Sequence, residues 1–128
     1  MILIVDDDPA ITTLLKMSFE LEGHVVMTAA SGKEALELAH EIHPAAMVVD
    51  VMMPEMDGLE LVRRLRDNET TADIPIVCCS ALSLSGDVEA GLAAGADDYV
   101  VKPCDPFELV ERVAKRVDLR RTTGHPRS

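Results

Sequence analysis

The chain is poor in positive charge, in aromatic rings and in long apolar runs, and each shortage removes a class of function. It holds 12 Lys and Arg against 23 Asp and Glu, a net charge of −11. Nucleic acid is bound by a basic face that releases counterions, and an anionic membrane attracts the same kind of face. No nucleic-acid or membrane partner is therefore expected for this chain. With no Trp, one Tyr and two Phe, there is no platform for stacking unpaired bases. No apolar run approaches the ~20 residues of a membrane span. The start, Met1-Ile2-Leu3-Ile4-Val5-Asp6, has no basic segment and no cleavage site, so no secretory signal is expected. Three cysteines without Cys-x-x-Cys spacing give no disulfide framework and point to a reducing compartment, the cytoplasm.

What is present fits one soluble domain. The 128 residues are 48% hydrophobic and 27% charged, and a chain of this length buries roughly two-thirds of its unfolded surface without staples. Short apolar runs at residues 1–5, 24–28, 45–49, 74–79 and 99–101 are rich in Val and Ile and mostly lack polar alternation. Parallel strands covered on both faces read this way. Helical stripes lie between them: Ile11, Leu14, Leu15 and Phe19; Ala35, Leu38, Ala39 and Ile42; Leu61, Val62 and Leu65; Val110, Val113, Ala114 and Val117. Asp8 before Pro9 marks one helix start; Ser31 with Glu34, Asp57 with Glu60, and Asp105 with Glu108 mark others.

Five strands alternating with five helices predict an α/β domain with a doubly wound parallel sheet. The best fit is the flavodoxin-like order 2-1-3-4-5, with helices on both faces. The domain is expected over residues 1–117, which carry 9 basic and 22 acidic residues. Residues 118–128 include Arg120, Arg121, Gly124, Pro126 and Arg127, and read as an exposed tail or linker remnant.

In such a sheet, ligands bind beyond the carboxyl ends of the strands where strand order reverses, here between the first and third. The first strand ends in Asp6-Asp7 and the third in Asp50. Carboxylates brought together repel, and a cation relieves them. An all-oxygen donor set favours Mg²⁺ or Mn²⁺ over zinc, and Mg²⁺ held by few carboxylates goes with phosphate chemistry. Ser80 and Lys102-Pro103 end the fourth and fifth strands at the same edge. A hydroxyl and a fixed cation there suit phosphoryl oxygens, and a carboxylate can itself accept the phosphoryl group. Singly, each residue reads as a cap, loop or surface residue; four strands presenting such groups at one edge read as a site.

Together, Ile2-Leu3-Ile4-Val5-Asp6-Asp7, the segment 50–58, Ser80-Ala81 and the segment 95–103 make residues 1–117 resemble the receiver domain of two-component response regulators. The resemblance implies Asp50 as phosphoacceptor, fed by a histidine kinase or phosphotransfer protein. It implies Mg²⁺ held by Asp6, Asp7, Asp50 and the backbone carbonyl of Met52. Lys102 would pair with the phosphoryl group, Ser80 would be the switch hydroxyl and Tyr99 the aromatic that moves with it. It implies a cis Lys102-Pro103 bond, and a switched face of fourth helix, fifth strand and fifth helix that controls a downstream effector. Such a receiver turns over only its own phosphoryl group and is not otherwise an enzyme.

Several features depart from the family's pattern. Cys104 stands where an aromatic is common and reads as a small buried hydrophobe, with a redox switch as the sharper alternative. Cys78 and Cys79 are strand neighbours and face opposite ways. Met52 and Leu82 are apolar where the family's attacking water passes, which implies slow dephosphorylation. Gly91 in the fourth helix reads as a soft spot, since glycine costs about 1 kcal/mol there. Met47, Met52, Met53 and Met56 read as core filler; His40 and His43, and Arg63, Arg64 and Arg66, read as surface residues. Asp97, Asp98, Glu108 and Arg112 resemble part of a dimerisation pattern, although residues 85–94 hold no Lys or Arg, and a homodimer stays open.

Two rival readings belong to other classes. Degenerate receivers act as phosphorylation-independent interaction modules, but they usually lose an acidic residue or the lysine, and all are present here. Haloacid-dehalogenase-like phosphatases also use an aspartyl phosphate, but need a second Asp two residues after the nucleophile, where Met52 stands. The sequence leaves open whether the chain is a stand-alone regulator or part of a longer one.

Overall fold

A computed structural model describes residues 1–123, with side chains described through Leu119. The strands are β1 (Ile2–Val5), β2 (Val26–Ala29), β3 (Ala46–Val49), β4 (Ile76–Ser80) and β5 (Asp98–Val101). The helices are α1 (Pro9–Leu21), α2 (Gly32–Ile42), α3 (Gly58–Asp67), α4 (Ser85–Ala94) and α5 (Pro106–Thr123). One parallel sheet runs in the order β2-β1-β3-β4-β5, which is the predicted topology. Strand bounds shift by up to two residues from the sequence reading, most at β2 and β4.

Side-chain alternation along the strands makes two cores. Leu3, Val5, Met47, Val49, Ile76 and Cys78 face one way, with Ala35, Ala39, Leu61, Val62 and Leu65 of α2 and α3. Ile2, Ile4, Ala46, Val48, Val77 and Cys79 face the other, against Leu15 and Phe19 of α1 and Leu109, Val110 and Val113 of α5. Both faces of the central strands are thus covered, which is why their sequences show no polar alternation. Cys78 and Cys79 fall in different cores, as adjacent strand residues must.

The helix starts follow the sequence. Asp8, Ser31 and Asp57 accept hydrogen bonds from Ala10, Glu34 and Glu60 N–H at 2.9, 3.1 and 2.9 Å. Asp105 accepts instead from Phe107 N–H at 2.9 Å. The helix α5 runs to Thr123, beyond Val117 where its apolar stripe stops, so residues 118–123 of the expected tail are helical, with Asp118 and Leu119 exposed. Periodicity marks only the part of a helix that touches the core, and cannot mark an extension past it. Residues 124–128 of the expected tail lie outside the described residues.

Arg66 corrects the sequence reading of a solvated face. Its guanidinium donates to the carbonyl oxygens of Gly95 at 2.9 Å, Ala72 at 2.9 Å and Ile74 at 2.7 Å, and to Asp97 at 3.0 Å. Asp97 also accepts from Ile76 N–H at 2.8 Å. One side chain therefore ties α3 to the loops before β4 and β5. Arg63 and Arg64 are exposed as expected, and so are His40 and His43. Among the methionines, Met47 and Met53 are buried, Met56 packs against the core, and Met52 is exposed at 54%. Met52 lies in the turn after β3, outside the strand parity that buries Met47.

Candidate functional site: an acidic pocket with a fixed lysine

The parallel register places Val5 opposite Val49, so the residues that follow them, Asp6 and Asp50, leave the sheet side by side. Asp50 N–H donates to the Val5 carbonyl at 2.9 Å, which extends the ladder one step further. One carboxylate oxygen from each of Asp6, Asp7 and Asp50 lies within 4.8 Å of the others. Asp6 and Asp50 are buried, and Asp7 is exposed.

Lys102 reaches this group from the end of β5, where the Lys102–Pro103 peptide bond is cis. Its Nζ lies 2.8 Å from Asp6 Oδ2 and 3.6 Å from Asp50 Oδ2. Burial alone would pull the ammonium down, but the hydrogen bond to Asp6 and the charge of Asp50 leave its pKa above the ordinary lysine value. At neutral pH it is a fixed cation between two carboxylates.

The Asp50 carboxylate is pulled in both directions. Burial pushes its pKa up, while a hydrogen bond from Met52 N–H at 3.1 Å and the Lys102 charge pull it down; Asp6 and Asp7 add repulsion. The net shift is upward. A carboxylate destabilised by its surroundings is a group that gains from meeting a cation or from becoming an ester-like acyl phosphate. An all-oxygen carboxylate donor set suits a hard divalent ion such as Mg²⁺ or Mn²⁺. Gly58 is required behind this site, because a Cβ there would run into the carbonyl of Asp50 and the Cα of Val51.

Ser80 and Tyr99 meet through a group the sequence reading missed. Ser80 is fully buried, and its Oγ accepts from Leu82 N–H at 3.3 Å. Tyr99 is buried, and its hydroxyl donates to the Leu82 carbonyl at 2.8 Å. Both polar groups of one peptide-linked residue are thus shared between Ser80 and Tyr99. A backbone bridge of this kind leaves no trace in residue type. Three residues of the dimer-like pattern are engaged within the chain: Asp98 accepts from Arg112 at 2.7 and 2.9 Å, and Asp97 holds Arg66. Cys104 is half-buried rather than buried, and its sulfur lies 3.9 Å from that of Cys79. Strand parity separates Cys79 from Cys78 but says nothing about a loop residue arriving after β5.

Comparison with known proteins decides the family. The response regulator receiver domain family matches residues 2–114. The chain belongs to this family. A DNA-binding dual master transcriptional regulator of Synechocystis, RpaA, is 42% identical over 127 residues, covering 99% of this chain and 52% of RpaA. The chain spans about half the length of RpaA and of the transcriptional regulatory protein AfsQ1 of Streptomyces coelicolor, with which it is 45% identical over 94% of its own length. A response regulator from Chloroflexus aurantiacus superposes with a TM-score of 0.87 at 38% identity, covering 91% of this chain and 96% of that one. The receiver domain of the sensor histidine kinase PA1611 of Pseudomonas aeruginosa superposes with a TM-score of 0.85 at 31% identity over the same shares, and carries a coordinated magnesium ion in its active-site cleft. These matches establish a receiver domain with the flavodoxin-like fold. Among the described residues, no helix is long and apolar enough to cross a membrane.

Proposed function

We propose that this receiver accepts a phosphoryl group on Asp50 from a phosphohistidine of a histidine kinase or phosphotransfer protein, and switches a partner in response. The observation that carries this reading is the meeting of three carboxylates with one lysine that touches two of them.

Asp50 supplies the nucleophilic carboxylate oxygen, and its Oδ1 is oriented by Met52 N–H. The oxygen bonds to phosphorus as the phosphorus–nitrogen bond of the donor breaks, so the donor's energy is conserved in the acyl phosphate. Lys102 stands where it can turn from Asp6 and Asp50 toward the added phosphoryl oxygens. Mg²⁺, held by Asp6, Asp7, Asp50 and the Met52 carbonyl, would neutralise charge gathered at the transfer. The chain turns over only its own phosphoryl group, so it acts as a switch rather than as an enzyme on other substrates.

A phosphoryl group on Asp50 gives Ser80 a new acceptor. Drawing the Ser80 hydroxyl toward it loosens the bond from Leu82, and Leu82 also holds Tyr99. The change thereby reaches α4 and β5, and the α4–β5–α5 face reports it to an effector by population shift. In the context of relatives such as RpaA, that effector is a second domain that acts in transcription. The strongly acidic receiver itself makes no nucleic-acid contact in this reading, and it works in the cytoplasm.

The deciding experiment is intact mass after incubation with Mg²⁺ and a small acyl phosphate, for wild type and Asp50→Asn. One phosphoryl group gained, dependent on Mg²⁺ and lost in the variant, is the expected result. No gain, with Mg²⁺ binding demonstrated, would overturn it in favour of a phosphorylation-independent module.

A further inference from the structure

We infer that Cys79 and Cys104 form a redox-responsive dithiol that closes to a disulfide across the end of β4 and the loop after β5, and so regulates the neighbouring acidic pocket. The two sulfurs lie 3.9 Å apart. A disulfide needs about 2.05 Å, so the atoms must approach by roughly 1.9 Å. Cys79 is fixed in the sheet, 3% exposed. Cys104 is on the loop between β5 and α5 and is half-buried. The movement therefore falls to Cys104.

Access is provided on the same side. A cavity of about 370 Å³ is lined by Ile11, Leu15, Cys79, Pro103, Cys104 and Pro106. It is open to solvent at Cys104, so the sulfur–sulfur bond of a small disulfide such as glutathione disulfide can reach the more exposed thiol while the rest of that molecule stays in solvent. Burial, reinforced by the nearby Cys104, pushes the Cys79 thiol up to about 12, so Cys79 reacts second. The sequence is a thiol–disulfide exchange. The Cys104 sulfur attacks one sulfur of the small disulfide and releases the first small thiol. The Cys79 sulfur then attacks the mixed disulfide at Cys104, and its proton leaves with the second small thiol. Two protein thiols are oxidised and one small disulfide is reduced to two thiols. Cys78, in the other core, is placed to take no part.

The bond would act on the phosphoryl site through the chain. Cys79 immediately precedes Ser80, and Cys104 follows Lys102 by two residues. Pulling Cys104 toward β4 displaces the loop that begins at Lys102, and a misplacement of about 1 Å in a positioned catalytic group is worth up to roughly a hundredfold in rate. This part rests on the phosphoacceptor reading.

The test treats the reduced full chain with glutathione disulfide, then alkylates it with N-ethylmaleimide in denaturant and maps the peptides. The expected product takes one maleimide where the reduced chain takes three, links the peptides of Cys79 and Cys104, and reverts with dithiothreitol. Cys104→Ser should block the link and Cys78→Ala should not. Phosphorylation of the linked form by a small acyl phosphate should be about tenfold slower or more, with Cys104→Ser indifferent to the oxidant. A reaction that stops at a glutathione adduct on Cys104 while Cys79 still takes maleimide overturns the proposal, as does a link through Cys78 or between chains. A linked form phosphorylated at the reduced rate overturns the regulatory half. If the reduced wild type takes no phosphoryl group at all, the phosphoacceptor reading fails instead, and the mass data alone decide the disulfide.

Discussion

The ring of Tyr99 occupies the space that a side chain on Gly91 would need. A Cβ at Gly91 would lie 2.7 Å from Tyr99 Cδ2 and 3.0 Å from Cε2. Gly91 thus does more than soften α4: it admits the aromatic ring into the helix surface. Gly91→Ala should therefore destabilise by about 1–3 kcal/mol through overpacking, although alanine is the better helix former by about 1 kcal/mol. In a Tyr99→Ala background the same change should become neutral or stabilising. Urea unfolding of the four proteins in the cycle measures this. Equal effects in both backgrounds would disprove the contact's role. Tyr99 is the single tyrosine of a chain without Trp, so its fluorescence reports the displacement directly.

Asp50→Asn should stabilise the protein at neutral pH in the absence of divalent ions. The folded state raises the Asp50 pKa, chiefly by burial. A carboxyl whose folded pKa is raised favours the fold when protonated, and that advantage is lost as pH rises through the folded pKa. Removing the charge should add roughly 1 kcal/mol near pH 7, a few degrees in Tm, and nothing well below the ordinary carboxylate range. Thermal melts across pH in a chelating buffer check the sign. A gain that persisted unchanged at low pH would contradict it.

Arg66→Ala should cost about 2–4 kcal/mol, far more than Arg63→Ala at an exposed position. It would orphan three carbonyl acceptors and leave Asp97 without this cation. Arg66→Lys should recover only a small part, because one ammonium cannot reach all four acceptors as a planar fork does. Chemical denaturation of the three variants tests this, and full rescue by lysine would refute it.

Gly58→Ala should slow phosphorylation even where the fold survives, because the added methyl displaces the Asp50 backbone it would touch. A drop of about tenfold or more is expected from the shift of a nucleophile. Circular dichroism separates this from unfolding, and a well-folded variant phosphorylated at the wild-type rate would count against it.

Dephosphorylation should be slow, and polar residues at Met52 or Leu82 should hasten it. Met52 presents an exposed apolar side chain next to Asp50, and both backbone polar groups of Leu82 are engaged. Neither side chain offers a hydrogen bond to orient water. The half-life of the acyl phosphate should shorten several-fold in Met52→Asn or Leu82→Asn. An unchanged half-life would remove the explanation.

The parts of this molecule that were legible in the sequence are those set by local rules. Strands buried on both faces show as unbroken Val and Ile runs, and caps show as Asp8, Ser31 and Asp57. From the resulting topology, Asp6, Asp7, Asp50 and Lys102 could be placed at one edge without knowing a single distance. What stayed hidden depends on tertiary neighbours. Arg66 looks like Arg63 and Arg64 in composition; the available signal was its place four residues after the buried Val62, on the inner side of α3. The pairing of Cys79 with Cys104 depends on the path of a loop, and the fit of Tyr99 on Gly91 on the distance between two elements. The bridge through Leu82 uses only backbone atoms, which every residue has.

The ion pair between Lys102 and Asp6 joins residues 96 positions apart, and Asp50 lies between them in sequence. No contiguous half of the chain contains the pocket. A nascent chain lacking β5 holds its clustered carboxylates without their lysine, so the pocket cannot be complete until almost the whole domain has been made and closed. A polypeptide cut at an exposed site between α3 and β4 would leave two fragments, each without a working pocket, and phosphoryl uptake would return only on their reassociation. In the phosphoacceptor reading, this span ties chemical competence to β5 having been made and docked against the rest of the sheet.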